Sequence, residues 1–207
     1  MLSLNSVNLP NALSISRIGL VPLLVVVLLT KFEGRQILGV PVELVGAAIF
    51  GLASLTDWAD GYLARRRKQV TPLGQVIDPL ADKLLTSAAF ISLVQMDLAP
   101  AWMVAVIIGR EFAVTALRSL TYARGVAIEA SWLGKVKMAG QVVAILALIL
   151  SQYGQSRMLL LIGQAALWAV VVTALLSAAD YFRRFSFFPA TRSTAKDNIV
   201  TLDRKAG

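Results

Sequence analysis

Residues 57–83 read DWADGYLARRRKQVTPLGQVIDPLADK, and how they fold decides the architecture of the chain. Four of the twelve acidic residues fall here: Asp57, Asp60, Asp78 and Asp82. On a helix, Asp57 and Asp60 share a face at spacing i, i+3, and Asp78 and Asp82 share one at i, i+4. Gly61 and Ala64 extend the first face, and Gly74 opens the second four residues before Asp78. Small residues beside each pair let a ligand approach the backbone closely. Two such faces turned toward each other would cage a hard divalent cation in oxygen ligands.

The rest of the chain sets these carboxylates in an apolar background. Its 207 residues are 57% hydrophobic and only 15% charged, with mean hydropathy +0.71. This composition predicts an all-α polytopic membrane protein, not one or two soluble domains. With no cysteine, the chain has neither a disulfide nor a thiolate nucleophile. With no histidine, the commonest general base and zinc ligand is missing, which leaves carboxylates as the main candidates. The net charge of +8 fits cytoplasmic loops and contact with anionic lipid or substrate better than nucleic acid.

Hydropathy and punctuation predict six transmembrane helices: 12–30, 42–64, 75–95, 101–122, 137–150 and 158–179. Thr71 to Gly74 is read as a break, and Pro79 as tolerable in the first turns of the third span. Residues 1–11 are read as a short N-terminal interfacial segment, 12–182 as the six-span domain and 183–207 as a basic tail. The first span is no cleavable signal: Pro22 interrupts it and no small-residue cleavage pattern follows. One set of loops holds Arg65 to Lys68, Arg124, Lys135 and the tail, while the other holds only Lys31, Arg35 and Arg157. The positive-inside rule then places both termini, and the acidic cluster, on the cytoplasmic side.

An ionisable group inside a span needs a partner or water. A lone aspartate would find one in a neighbour such as Lys83 or Arg65. Four carboxylates together repel unless cations neutralise them, and oxygen-only ligation favours Mg²⁺ or Mn²⁺ over zinc. Such a site suits phosphate chemistry, where cations clamp a diphosphate and a spare carboxylate takes the proton of an attacking hydroxyl. Arg110 and Arg118, eight apart on one span, and Lys135 and Lys137 at the start of the fifth, suit a phosphate pocket. Positive-inside topology is the simpler account of the two lysines, and Glu111 offers a local partner to an arginine. Trp58, Trp102, Trp132 and Trp168 are read as interface anchors or packing.

The pattern Asp57-x2-Asp60-Gly61-x2-Ala64-Arg65-x8-Gly74-x3-Asp78-x3-Asp82 resembles the signature of the CDP-alcohol phosphatidyltransferases at every specified position. The resemblance implies a six-helix membrane enzyme, often a homodimer, that transfers a substituted phosphoryl group from a CDP-linked donor to an alcohol. It implies that Asp57, Asp60, Asp78 and Asp82 hold two divalent cations and that Asp82 also acts as general base. It further implies that Gly61, Ala64 and Arg65 line the CDP site, with Gly74 opening the opposite face.

Further blocks resemble the branch that joins CDP-diacylglycerol to sn-glycerol 3-phosphate: Asn8 to Ser14 with Arg17, Gly109 to Phe112, Thr115 to Arg118, and Gly134-Lys135-x-Lys137. Arg110, Arg118, Lys135 and Lys137 are the candidates to hold the acceptor phosphate. Met138 stands where that branch carries threonine, which removes a hydroxyl near this pocket. A bacterial inner membrane is implied by the habit of the family. Other acceptors, phosphatidylglycerol or an inositol phosphate, fit the same motif. A divalent-cation transporter is the rival of another class, although no inverted repeat is evident. A non-catalytic membrane scaffold would leave the four carboxylates unexplained.

Overall fold

A computed structural model describes residues 9–30, 36–67, 72–123 and 132–186, with side chains described within 15–30, 36–57, 79–117 and 137–179. Six helices account for nearly all of it: α1 (Leu9–Leu29), α2 (Val42–Arg67), α3 (Pro72–Gln95), α4 (Ala101–Ala123), α5 (Trp132–Ser151) and α6 (Arg157–Ser186). The expected helical class and order hold, but several ends move.

Helix α1 takes in Leu9 to Asn11, which the interfacial segment was expected to claim; Pro10 sits in its first turn, where a missing N–H costs nothing. Residues 1–8 lie outside the described part. Helix α3 starts at Pro72, not near Gln75, so Thr71 to Gly74 is less of a break than expected. Proline is pre-organised for a first helical position. Pro79 consequently lies two turns in, where it removes the N–H that would meet the Gln75 carbonyl. Helix α5 begins five residues before the expected span, and α6 runs on through Arg183 and Arg184.

The connections explain how the helices turn. Between α1 and α2, strands β1 (Gln36–Ile37) and β2 (Val40–Pro41) pair antiparallel, Gln36 opposite Pro41. Leu38 and Gly39 both have positive φ (51° and 80°), as a two-residue hairpin turn requires. Helix α3 ends with Asp97 in the left-handed region at φ 59°. The Leu98 N–H then donates to the Leu93 carbonyl at 2.9 Å and the Asp97 N–H to that of Val94 at 3.0 Å. This is the paired closure that stops a helix cleanly. The α5–α6 link is a 3-10 turn at Tyr153–Gln155, after which the Ser156 hydroxyl accepts from the Leu159 N–H at 3.4 Å and caps α6.

Helix α1 packs against α3 and α2, α5 lies along α6 and α2, and α4 packs on α6 and α3. Phe50, Phe90, Leu93, Ile107, Ile145, Leu148 and Val170 form the centre of a single core. A Cβ on Gly163 of α6 would come within 2.7 Å of the Leu148 side chain and 3.0 Å of its backbone nitrogen. The close approach of α5 and α6 therefore depends on that glycine.

The described outer surface carries many large apolar side chains. Leu23 and Val26 on α1, Leu52 and Leu55 on α2, Ile91 on α3, Val143 on α5, and Leu161, Val172 and Leu176 on α6 are all exposed. Trp102 and Trp168, both about half exposed (52% and 53%), meet edge to face at 5.7 Å and join α4 to α6. Among the described residues, only Arg157–Ala179 is long and apolar enough to cross a membrane by length and composition alone. Ile15–Leu29 and Lys137–Ser151 are shorter apolar helices.

Candidate active site

The two aspartate pairs both lie on helical backbone, Asp57 and Asp60 on α2, Asp78 and Asp82 on α3. The side chains of Asp60 and Asp78 lie outside the described residues, as do those of Gly61, Ala64, Arg65, Gly74, Arg118 and Lys135. Of the four carboxylates, Asp57 and Asp82 can be followed. Asp57 on α2 and Asp82 on α3 lie within electrostatic range of each other. Among the described residues no three acidic side chains gather.

Asp57 meets a partner that spacing alone did not suggest. The Arg17 guanidinium, from α1, lies 2.6 Å from Asp57 Oδ1 with its own side chain only 4% exposed. An arginine forty residues upstream in sequence offsets the carboxylate because α1 lies along both α2 and α3. Asp82 feels Arg17 as well, together with Lys83 and Lys137. Carboxylate oxygens on neighbouring helices, with no thiolate or imidazole in the chain, fit a hard divalent cation.

Lys137 connects this centre to a second group of charges. It sits in the second turn of α5, not at the mouth of a span, and is buried to 4% exposure. Its ammonium pairs with Glu111 Oε1 on α4. Arg110 reaches the same oxygen at 3.4 Å, and the Gln141 amide donates to it at 3.5 Å. The other terminal nitrogen of Arg110 donates to the Ser177 hydroxyl on α6. The local pairing of Glu111 with an arginine is thus as expected, whereas its grip on Lys137 is new. Met138, next to Lys137, is about half exposed (47%), so it does not share the burial of Lys137 and Gln141.

Sequence reasoning passed over Arg17, Glu111, Gln141 and Ser177 as site residues. Gln141 follows Lys137 by four and shares its face, a signal that was available. Ser177 is one serine in an apolar helix and carries no such signal.

Described side chains thus form two polar groups, Arg17 with Asp57, and Lys137 with Glu111, Arg110 and Ser177, and Asp82 lies in electrostatic range of Arg17, Asp57 and Lys137. Buried cations beside clustered carboxylates are suited to an anionic, phosphate-bearing ligand and to moving a proton.

The comparisons with known proteins agree with this chemistry. The chain is 46% identical over 182 residues to the CDP-diacylglycerol–glycerol-3-phosphate 3-phosphatidyltransferase of Bacillus subtilis (strain 168), covering 86% of this chain and 94% of that one. It is 34% identical over 177 residues to the protein of that name from Rickettsia bellii (strain RML369-C), covering 85% and 94%. Against the one from Pectobacterium atrosepticum it is 34% identical over 180 residues, covering 84% and 92%. The profile of CDP-alcohol phosphatidyltransferases matches residues 7–180, and the chain belongs to that family.

Proposed function

We propose that this chain is the enzyme that transfers the phosphatidyl group of CDP-diacylglycerol to sn-glycerol 3-phosphate, a step of phospholipid biosynthesis. The single observation that carries this reading is the set of buried cations paired with carboxylates between the helices: Arg17 of α1 on Asp57 of α2, and Lys137 of α5 with Arg110 of α4 on Glu111, with Asp82 of α3 in electrostatic range of Arg17, Asp57 and Lys137. Relatives that bear that enzyme's name match over nearly their whole length. No observation favours another acceptor or a transporter.

In the reaction, the 1-hydroxyl oxygen of glycerol 3-phosphate bonds to the phosphorus that carries diacylglycerol. The bond from that phosphorus to the bridging oxygen breaks, CMP leaves with the electron pair, and phosphatidylglycerophosphate forms. Asp82 takes the hydroxyl proton. Arg110, Arg118, Lys135 and Lys137 hold the acceptor phosphate, which places the hydroxyl for in-line attack. Gly61, Ala64, Arg65 and Gly74 make room for, and contact, the CDP moiety. Asp57, Asp60, Asp78 and Asp82 would hold two divalent cations, Mg²⁺ or Mn²⁺, which offset the charge of the diphosphate when bound.

The six helices cross the membrane, with the exposed leucines, isoleucines and valines facing lipid and the site near the cytoplasmic ends of α2 and α3. Arg183 and Arg184 at the end of α6 accord with a basic cytoplasmic tail, and residues 1–8 with an interfacial lead-in. The protein resides in a bacterial inner membrane as a homodimer.

The test is CMP release from CDP-diacylglycerol by the detergent-solubilised protein, with and without glycerol 3-phosphate and Mg²⁺ or Mn²⁺. Release is expected only with both, and is lost in Asp78→Asn. Release that needs a different alcohol would overturn the choice of acceptor, and no release with any acceptor would overturn the enzyme reading.

A further inference from the structure

Three donors converge on one oxygen in the middle of the molecule. Glu111 Oε1 receives Lys137, Arg110 at 3.4 Å and Gln141 at 3.5 Å, while Arg110 gives its remaining terminal nitrogen to Ser177. Lys137, Gln141 and Ser177 are each more than nine-tenths buried, at 4%, 6% and 7% exposure. Both terminal nitrogens of the Arg110 guanidinium are therefore anchored, one on its own helix and one on α6. Arg110 and Lys137 are also near enough to repel one another. Two like charges held this close in a poorly solvated site need a shared counter-ion, or one of them swings out or loses its proton.

We infer that Glu111 and Ser177 are positioning residues of the acceptor pocket, fixing Arg110 and Lys137 at the spacing that grips a phosphate dianion. The inference rests on the proposed assignment of these two cations to the phosphate of glycerol 3-phosphate. Glu111 supplies the charge that lets the cations stand together, and leaves the three groups with a net charge of +1. Gln141 fills the remaining approach to the same oxygen. Ser177 fixes the plane of the guanidinium, on which a two-pronged grip of phosphate depends. Neither residue touches the CDP-linked donor, because both act through the acceptor cations.

The test is the Michaelis constant for each substrate in Glu111→Gln and Ser177→Ala, read as CMP release. Glu111→Gln keeps the shape and removes the charge; its KM for glycerol 3-phosphate is expected to rise about tenfold or more, that for CDP-diacylglycerol less than about twofold. Ser177→Ala removes one buried hydroxyl and is expected to raise the same constant about threefold, again selectively. It keeps the question answerable if Glu111→Gln fails to fold. A rise in both constants together, no change in either, or a lower KM for glycerol 3-phosphate in Glu111→Gln would overturn the inference. Wild-type CMP release that ignores glycerol 3-phosphate would instead overturn the reading beneath it, and the inference with it.

Discussion

Arg17 is almost fully buried, and its guanidinium meets the Asp57 carboxylate at 2.6 Å. Removing one member of such a pair strands the other's charge, whereas removing both is far milder. Arg17→Met is therefore expected to lower stability in detergent by about 3 kcal/mol, and Arg17→Met with Asp57→Leu by clearly less. Thermal unfolding of the three proteins checks this, and an equal loss in the single and double variants would contradict it. Asp82 lies in electrostatic range of Asp57, Arg17, Lys83 and Lys137. As the proposed general base it should lose about 10²- to 10⁴-fold in turnover as Asp82→Asn, while Mn²⁺ binding by calorimetry is weakened but kept by the other three aspartates. Retained turnover would remove it from that role. At this scale the helical placement of the aspartates was legible, because their spacing matches helical faces. Their partners were not, because Arg17 to Asp57 and Arg110 to Ser177 are contacts across the sequence that only packing creates.

Among the elements, helices α5 and α6 show how tightly the bundle is fitted. A Cβ on Gly163 would press on Leu148, backbone included, while one on Gly19 of α1 meets nothing within 4 Å. Gly163→Ala is expected to destabilise by about 1–3 kcal/mol through overpacking, and Gly19→Ala to stabilise by up to about 1 kcal/mol through helix propensity. Melting temperatures moving in opposite directions would bear this out; parallel shifts would not. The number and order of helices were readable from apolar runs cut by proline, glycine and charge. Their ends were less so: Pro72 reads as a breaker but begins a helix, and Trp132 to Val136 read as a polar loop but open α5. The β1–β2 hairpin was also hidden, since Leu38 at positive φ is an unusual choice for its turn.

For the whole molecule, the absence of cysteine makes topology directly measurable. Single cysteines at Asp97 in the α3–α4 link and Gln155 in the α5–α6 link should react with an impermeant maleimide from outside intact cells. One at Arg184 should react only after the membrane is opened. Reaction of all three from the same side would contradict six crossings. Membrane character was legible in composition alone, and among the described residues Arg157–Ala179 is long and apolar enough to cross.

The most direct test of the central claim, one continuous site joining carboxylates to a phosphate-gripping pocket, follows the acceptor itself. Glycerol 3-phosphate labelled in its carbon skeleton is supplied with CDP-diacylglycerol and Mg²⁺, and chloroform-extractable label is counted against CMP. The account predicts one labelled lipid per CMP, falling to background in Asp78→Asn, and at limiting acceptor falling sharply in Lys137→Met with CDP-diacylglycerol still bound. CMP formed without label entering lipid, or label entering lipid unchanged in Lys137→Met, would contradict it.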